Sequence, residues 1–141
     1  MFEKIDKYFL KYNNLRKKII TKELELEQLE ETYTSVGSLS YNEKTSGTKK
    51  QNGIDDKLVR IESLREYLNK LYSKRDNLKE KHILDFKKLS KSDYEIILTS
   101  FYLDKVSLKG ISSKLDKSIG HIKKLKRAAM KELLELNKKN T

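Results

Sequence analysis

The sequence predicts an all-α protein: a long N-terminal antiparallel, coiled-coil-like helical hairpin followed by a C-terminal helix-turn-helix domain. Three observations carry this. No Pro occurs in 141 residues, so nothing interrupts long helices and a turn-rich all-β fold is disfavoured. Two stretches hold apolar residues at steps alternating between three and four, the spacing of a helical seam. A third stretch, from Leu89 onward, places hydroxyl caps and a tight turn at short intervals.

The first helix is expected over residues 2–33. Ile5, Tyr8, Tyr12, Leu15, Ile19, Leu26, Leu29 and Tyr33 keep the alternation, with Lys22 at the one lapse. Residues 34–54 are rich in Ser, Thr, Gly and Asn and keep no period, which predicts a polar, mobile loop. The second helix is expected over 55–88. Asp55 and Asp56 suit its N-terminus because acids there complement the helix dipole. Ile61, Leu64, Leu68, Leu71 and Leu78 form its seam, with Arg75 and His82 in polar slots that reach the rim or fix register. Glu23, Glu25, Glu27, Glu30 and Glu31 on the first helix complement Lys57, Arg60 and Arg65 on the second if the two run antiparallel. Residues 1–88 are thus expected to form an assembly element. A two-helix hairpin has one seam and buries little by itself. Tyr12, Leu15, Ile19, Leu26, Leu29, Leu64, Leu68 and Leu71 are therefore assigned to homo-oligomerisation, a dimer being favoured.

Residues 89–141 have a different character. Ser90 to Asp93 resembles a capping box, a hydroxyl with an acid three residues on. Tyr94, Ile97, Leu98, Phe101 and Tyr102 form an apolar stripe, which Asp104-Lys105-Val106 breaks. Ser107 is placed to cap a short helix ending at Leu115, with Leu108, Ile111 and Leu115 inward. Asp116-Lys117 reads as a tight turn, since Asp tolerates the left-handed conformation. Ser118 caps the next helix, whose Ile122, Leu125, Ala129, Leu133 and Leu136 face inward. Two helices joined by so short a turn, the second basic outside, make a helix-turn-helix.

Charge points the same way. Lys and Arg outnumber Asp and Glu by 32 to 21, and residues 89–141 hold twelve bases against six acids. Lys117 to Lys131 holds six bases and no acid. Such a block is either a solvated face or a surface for nucleic acid. The absence of Cys excludes disulfides, a thiol nucleophile and Cys-ligated zinc. The two His residues, His82 and His121, lie far apart and carry no metal-ligand spacing. The five glycines form no phosphate loop. No enzymatic activity, metal or cofactor is expected. Apolar runs such as Ile96-Ile97-Leu98 are too short to cross a bilayer. The opening Met-Phe-Glu-Lys-Ile-Asp carries acids and lacks the apolar core of a secretion signal. A cytoplasmic protein with no membrane partner is expected.

The stretch Leu89 to Leu136 resembles region 4 of the primary bacterial sigma factors. The residues that carry the resemblance are Leu89, Ser90, Glu95, Ile97, Leu98, Tyr102, Ser107, Ile111, Leu115, Ser118, Ile122, Arg127, Ala128 and Leu133. With the N-terminal hairpin added, the whole chain is similar to small phage late-gene activators of the RinA and ArpU type. The resemblance implies double-stranded DNA as ligand, RNA polymerase as a possible partner and the nucleoid of a bacterial host cell as location. It places DNA contacts at Lys117, Ser118, Ile119, Gly120, His121, Lys123, Lys124, Lys126 and Arg127. This sequence departs from the pattern at Asp116, where Gly is usual, and at Ser112, where Ala is usual. Ile119 and Gly120 also stand where long polar side chains are common. Residues 1–88 hold no promoter-melting segment. The expected function is a sequence-specific activator. The alternatives are a phage packaging or assembly adaptor that carries a helix-turn-helix, and a divergent sigma-like factor.

Overall fold

The structure, a computed structural model, describes the backbone of residues 2–42 and 48–139 and the side chains of residues 3–33 and 56–138. It is all-helical, with no strand among the described residues. The elements in order are α1 (Phe2–Tyr8), α2 (Leu10–Asn42), α3 (Thr48–Phe86), α4 (Ser92–Leu98), a π turn (Thr99–Leu103), α5 (Leu108–Leu115) and α6 (Ile119–Lys139). At the junction of α1 and α2, the N–H of Phe9 still donates to the Ile5 carbonyl at 3.1 Å. The Asn13 N–H likewise donates to the Phe9 carbonyl at 2.9 Å.

Two helix limits correct the sequence reading. α2 runs on to Asn42 and α3 already begins at Thr48, so most of the segment expected as a loop has helical backbone. Residues 43–47 of the expected mobile loop lie outside the described residues. The physical reason is cooperativity: once a helix is nucleated, each further residue adds a hydrogen bond. Ser, Thr and Asn cost only a few tenths of a kcal/mol each against better helix formers.

The chain forms two compact units: residues 14–75, and residues 1–13 together with 76–141. The expected boundary at 88/89 differs from this division, because both ends of the long helical stretches belong with the C-terminal helices.

The 14–75 unit consists of α2 and α3 side by side. Ile19, Leu68 and Leu71 are buried at its centre, with Leu15, Leu26, Tyr67 and Tyr72 packed on them. Ile61 and Leu64 are buried as well. Glu30 pairs with Arg65 at 2.9 Å, and the Tyr72 hydroxyl donates to Glu23 at 2.8 Å. Rising numbers on one helix meet falling numbers on the other, so the pairing is antiparallel. Lys18 and Lys22 stand over the Tyr67 ring at 5.6 and 6.0 Å.

The other unit has two connected cores. One gathers Ile97, Ile111 and Ile122 from α4, α5 and α6, with Phe101, Val106, Leu108, Leu115 and Leu125 around them. The second brings Ile5, Phe9 and Tyr12 against Phe86, Leu98, Leu103, Met130 and Leu133. The Tyr12 hydroxyl is buried and donates to the Leu103 carbonyl at 2.8 Å. Phe9 stacks on Tyr102 at 4.6 Å. Burial pushes the Tyr102 hydroxyl up to about 12, so it stays protonated and donates to the Met130 Sδ at 3.1 Å.

Two further expectations concern side chains that the fold buries. Tyr12, Ile19, Leu64, Leu68 and Leu71 are buried inside a single chain, and Leu15 and Leu26 pack on them. Most of these side chains, assigned to self-association, are taken up in intrachain packing; of that set, Leu29 and Leu64 line an open groove, with Val59, Arg60 and Tyr67. His82 does not reach the rim. It is buried among the rings of Tyr8, Phe9 and Phe86, at 4.7, 5.1 and 6.4 Å. Its Nε2 has no hydrogen-bond partner, and desolvation holds its pKa below the ordinary histidine value despite nearby Asp85.

Candidate nucleic-acid interface

The geometry of α5 and α6 follows from short-range chemistry. The Ser107 Oγ accepts from the Gly110 N–H at 3.1 Å and starts α5. A Cβ on Gly110 would lie 2.8 Å from the Val106 Cγ1, so only glycine lets the helix start sit this close to the preceding loop. Asp116 ends α5 in the left-handed conformation, φ 55° and ψ 48°, where Asp is among the more tolerant residues. The Lys117 N–H donates to the Ser112 carbonyl at 3.1 Å, and the Ser112 hydroxyl donates back to the Lys117 carbonyl. Ser112, a departure from the sigma pattern, thus ties the turn shut. The Ser118 Oγ accepts from the His121 N–H at 3.1 Å and starts α6. The caps expected at Ser107 and Ser118 are both present. The one expected at Ser90 is not: α4 starts at Ser92 with no side-chain cap. The Ser90 N–H and hydroxyl instead donate to the Glu132 carboxylate on α6.

α6 then divides by face. Ile122, Ala129, Met130 and Leu133 are buried. Ser118, Ile119, Gly120, His121, Lys123, Lys124 and Arg127 are exposed. Gly120, Lys124, Arg127 and Lys131 follow one another at steps of three and four, so they share one outward ridge. Among the described residues, no carboxylate pairs with Lys123, Lys124, Arg127 or Lys131. Nothing lies within 4 Å of where a Cβ on Gly120 would stand. Ile119 is 41% exposed, unusual for an Ile beside a helix start.

The nine predicted contact residues do not all share this surface. Lys117 pairs with Asp93 at 3.0 Å. Lys126 lies 3.9 Å above the Phe101 ring and 5.8 Å from that of Tyr102. Desolvation there, with the neighbouring Lys123, lowers its pKa. Both lysines are held by α4 and the π turn. The π turn causes this in part: the Asp104 N–H reaches back to the Thr99 carbonyl at 2.9 Å. It brings Phe101 under Lys126 while Leu103 enters the core. Sequence reading had no signal for the π turn, and the Asp93–Lys117 pair spans 24 residues.

A row of unpaired bases on a rigid helix is suited to a polyanion, because each buried phosphate contact releases a condensed counterion. Among the described residues no cluster of His, Asp or Glu could hold a metal ion, and no helix is long and apolar enough to cross a membrane. Comparison with known protein families, curated proteins and solved structures gave no match.

Proposed function

We propose that this chain is a sequence-specific, double-stranded-DNA-binding transcription regulator in which α5 and α6 act as a helix-turn-helix and α6 enters the major groove. The observation that carries the reading is the Lys123, Lys124, Arg127 row, exposed and unpaired on a helix start fixed by Ser118 and the Asp116 turn. Lys123, Lys124 and Lys131 neutralise phosphates; Arg127 and His121 are able to donate to purine edges. Gly120 and the first N–H groups of α6 let a phosphate or a base edge come close. Lys117 and Lys126 act as supports, not as primary contacts. The paired α2–α3 segment is a coiled-coil-like hairpin that sets the spacing between DNA-bound copies. If two copies lie on one DNA face, their half-sites are about one helical turn, ~34 Å, or a multiple apart.

The sigma-region-4 resemblance adds RNA polymerase as partner and activation as outcome, within the host cell's nucleoid. The deciding measurement is duplex affinity against salt. Lys123→Ala with Lys124→Ala should lower affinity and reduce the log–log slope by about 1.8, or roughly 0.9 per phosphate contact. An unchanged slope removes α6 from the interface.

Ile119 and Gly120 at the first turn favour a second reading, a packaging or assembly adaptor that grips DNA without reading it. Sequencing of fragments retained by the protein separates the two: a shared motif selects the regulator, indifference selects the adaptor. Transcription in vitro with core polymerase alone tests the divergent sigma factor, since an activator requires the host sigma.

A further inference from the structure

The inner seam of α2 is occupied within the chain, yet the helix carries a second stripe. Lys17, Ile20, Leu24, Glu27 and Glu31 follow one another at steps of three, four, three and four, the same alternation as the buried seam. All five are exposed. Ile20 and Leu24 sit one turn apart and are 50% and 55% exposed, whereas Ile19 on the inner face of the same helix is 4% exposed. One exposed aliphatic needs no explanation; two on adjacent turns inside a charged seam pattern define a face.

The charges on this stripe have an order. A base precedes the apolar pair and two acids follow it. The acids are also distinct from their neighbours. Glu23, Glu25 and Glu30 are engaged by Tyr72, Lys22 and Arg65. Glu27 and Glu31 have no partner among the described residues, and neither does Lys17.

We propose that this stripe docks a second copy of the chain, with the two α2 helices antiparallel about a two-fold axis at position 22. The same patch then meets itself, as a two-fold interface requires. Ile20 and Leu24 are equidistant from that position, so each Ile20 faces the partner copy's Leu24 position. Lys17 and Glu27 are also equidistant, so each base faces an acid. A parallel pairing in register would set Glu27 on Glu27, which like-charge repulsion disfavours. The face is small and half charged, so the dimer is salt-sensitive. The proposal rests on the 14–75 unit alone and does not depend on DNA binding.

The test is sedimentation equilibrium of the full chain without DNA, at low and high salt. The wild type should dimerise, more weakly at high salt. Lys17→Glu and Glu27→Lys should each weaken dimerisation about tenfold or more, because each places like charges at both ends of the interface. The double variant Lys17→Glu with Glu27→Lys should recover it. An equimolar mixture of the two single variants should form a mixed dimer better than either alone. These side chains are exposed, so circular dichroism should show unchanged helicity; a variant that lost helicity would be replaced by Leu24→Gln, with the same loss expected. A monomeric wild type, a dimer indifferent to both swaps, or a double variant no better than the singles would overturn the proposal. Loss of DNA binding with dimerisation intact would instead count only against the DNA reading.

Discussion

The two compact units spend their apolar residues differently. In the unit of residues 1–13 and 76–141, aromatic and aliphatic side chains from α3 to α6, the π turn and the α1–α2 junction converge: Phe9, Phe86, Ile97, Leu98, Leu103, Ile111 and Ile122 are all at most 1% exposed. On the outer face of α6, Ile119 apart, what remains is mostly charge, gathered on one ridge. In the 14–75 unit two helices share one seam, and Ile20, Leu24 and Val59 remain outside. A single seam cannot use every apolar position that a long helix presents. The first unit therefore offers a surface for a polyanion, the second a surface for another helix.

The largest effect expected from this contrast is in the cores. Leu98→Ala should cost about 2–5 kcal/mol, toward the upper end because several elements hold the cavity open. Leu71→Ala should fall toward the lower end of that same ~2–5 kcal/mol range, since two helices close more readily over lost volume. Denaturant unfolding of the full chain, with hydrogen exchange to locate the loss, measures both. Equal losses would break the contrast.

A second, smaller effect is pH-dependent and confined to the first unit. The folded-state pKa of His82 lies below its unfolded value of about 6.5. The unfolded chain therefore binds more protons below that value, and stability present at neutral pH is lost as the pH falls through the window beneath it. His82→Phe should flatten that part of the stability–pH curve. A curve of unchanged slope would show that the Tyr8–Phe9–Phe86 surroundings do not hold the imidazole neutral.

The two helix-start glycines sharpen the comparison at the scale of about 1 kcal/mol. Gly110→Ala should destabilise by about 1–3 kcal/mol, because its Cβ collides with the stiff Val106 side chain. Gly120→Ala should stabilise the free protein by about 0.5–1 kcal/mol, the helix-propensity gain in open space. It should nevertheless weaken duplex binding if DNA approaches there. Thermal melts and binding titrations of the same two proteins settle the signs. Smallest of all, Lys117→Ala should cost ~0–1 kcal/mol, as a partly exposed ion pair does, and leave the salt slope of DNA binding unchanged.

Local chemistry was legible in the sequence. Ser107, Ser118 and Asp116 mark their own caps and turn, and the inward stripe Ile111, Ile122, Leu133 follows from helical spacing. The seam Ile19, Leu68, Leu71 was equally visible, although its role was not: periodicity reports that a face is buried, never by which chain. The Glu30–Arg65 pair followed from charge complementarity, but long-range pairings in the divided unit left no trace. Phe9 sits outside the seam alternation, Phe86 and Met130 outside the expected stripes, and Ser90 finds Glu132 across 42 residues. At the candidate interface, charge alone gave Lys117 and Lys126 the same standing as Lys123. Only their neighbours Asp93 and Phe101, supplied by other helices, separate them.

The hydrogen bond from Tyr12 to Leu103 joins residues 91 positions apart, and that span orders events during synthesis. At ~5–20 residues per second on the ribosome, the segment from Ile5 to Tyr12 waits roughly 5–20 s for the helices it packs against. The 14–75 unit is contiguous and lies wholly within that interval. Its two helices are therefore complete before the divided unit has its second half. Their antiparallel return brings the chain back toward Tyr12 and shortens the effective loop that the later contacts must close. A weak seam in the middle of the chain thus acts as a guide for the stronger core that closes after it.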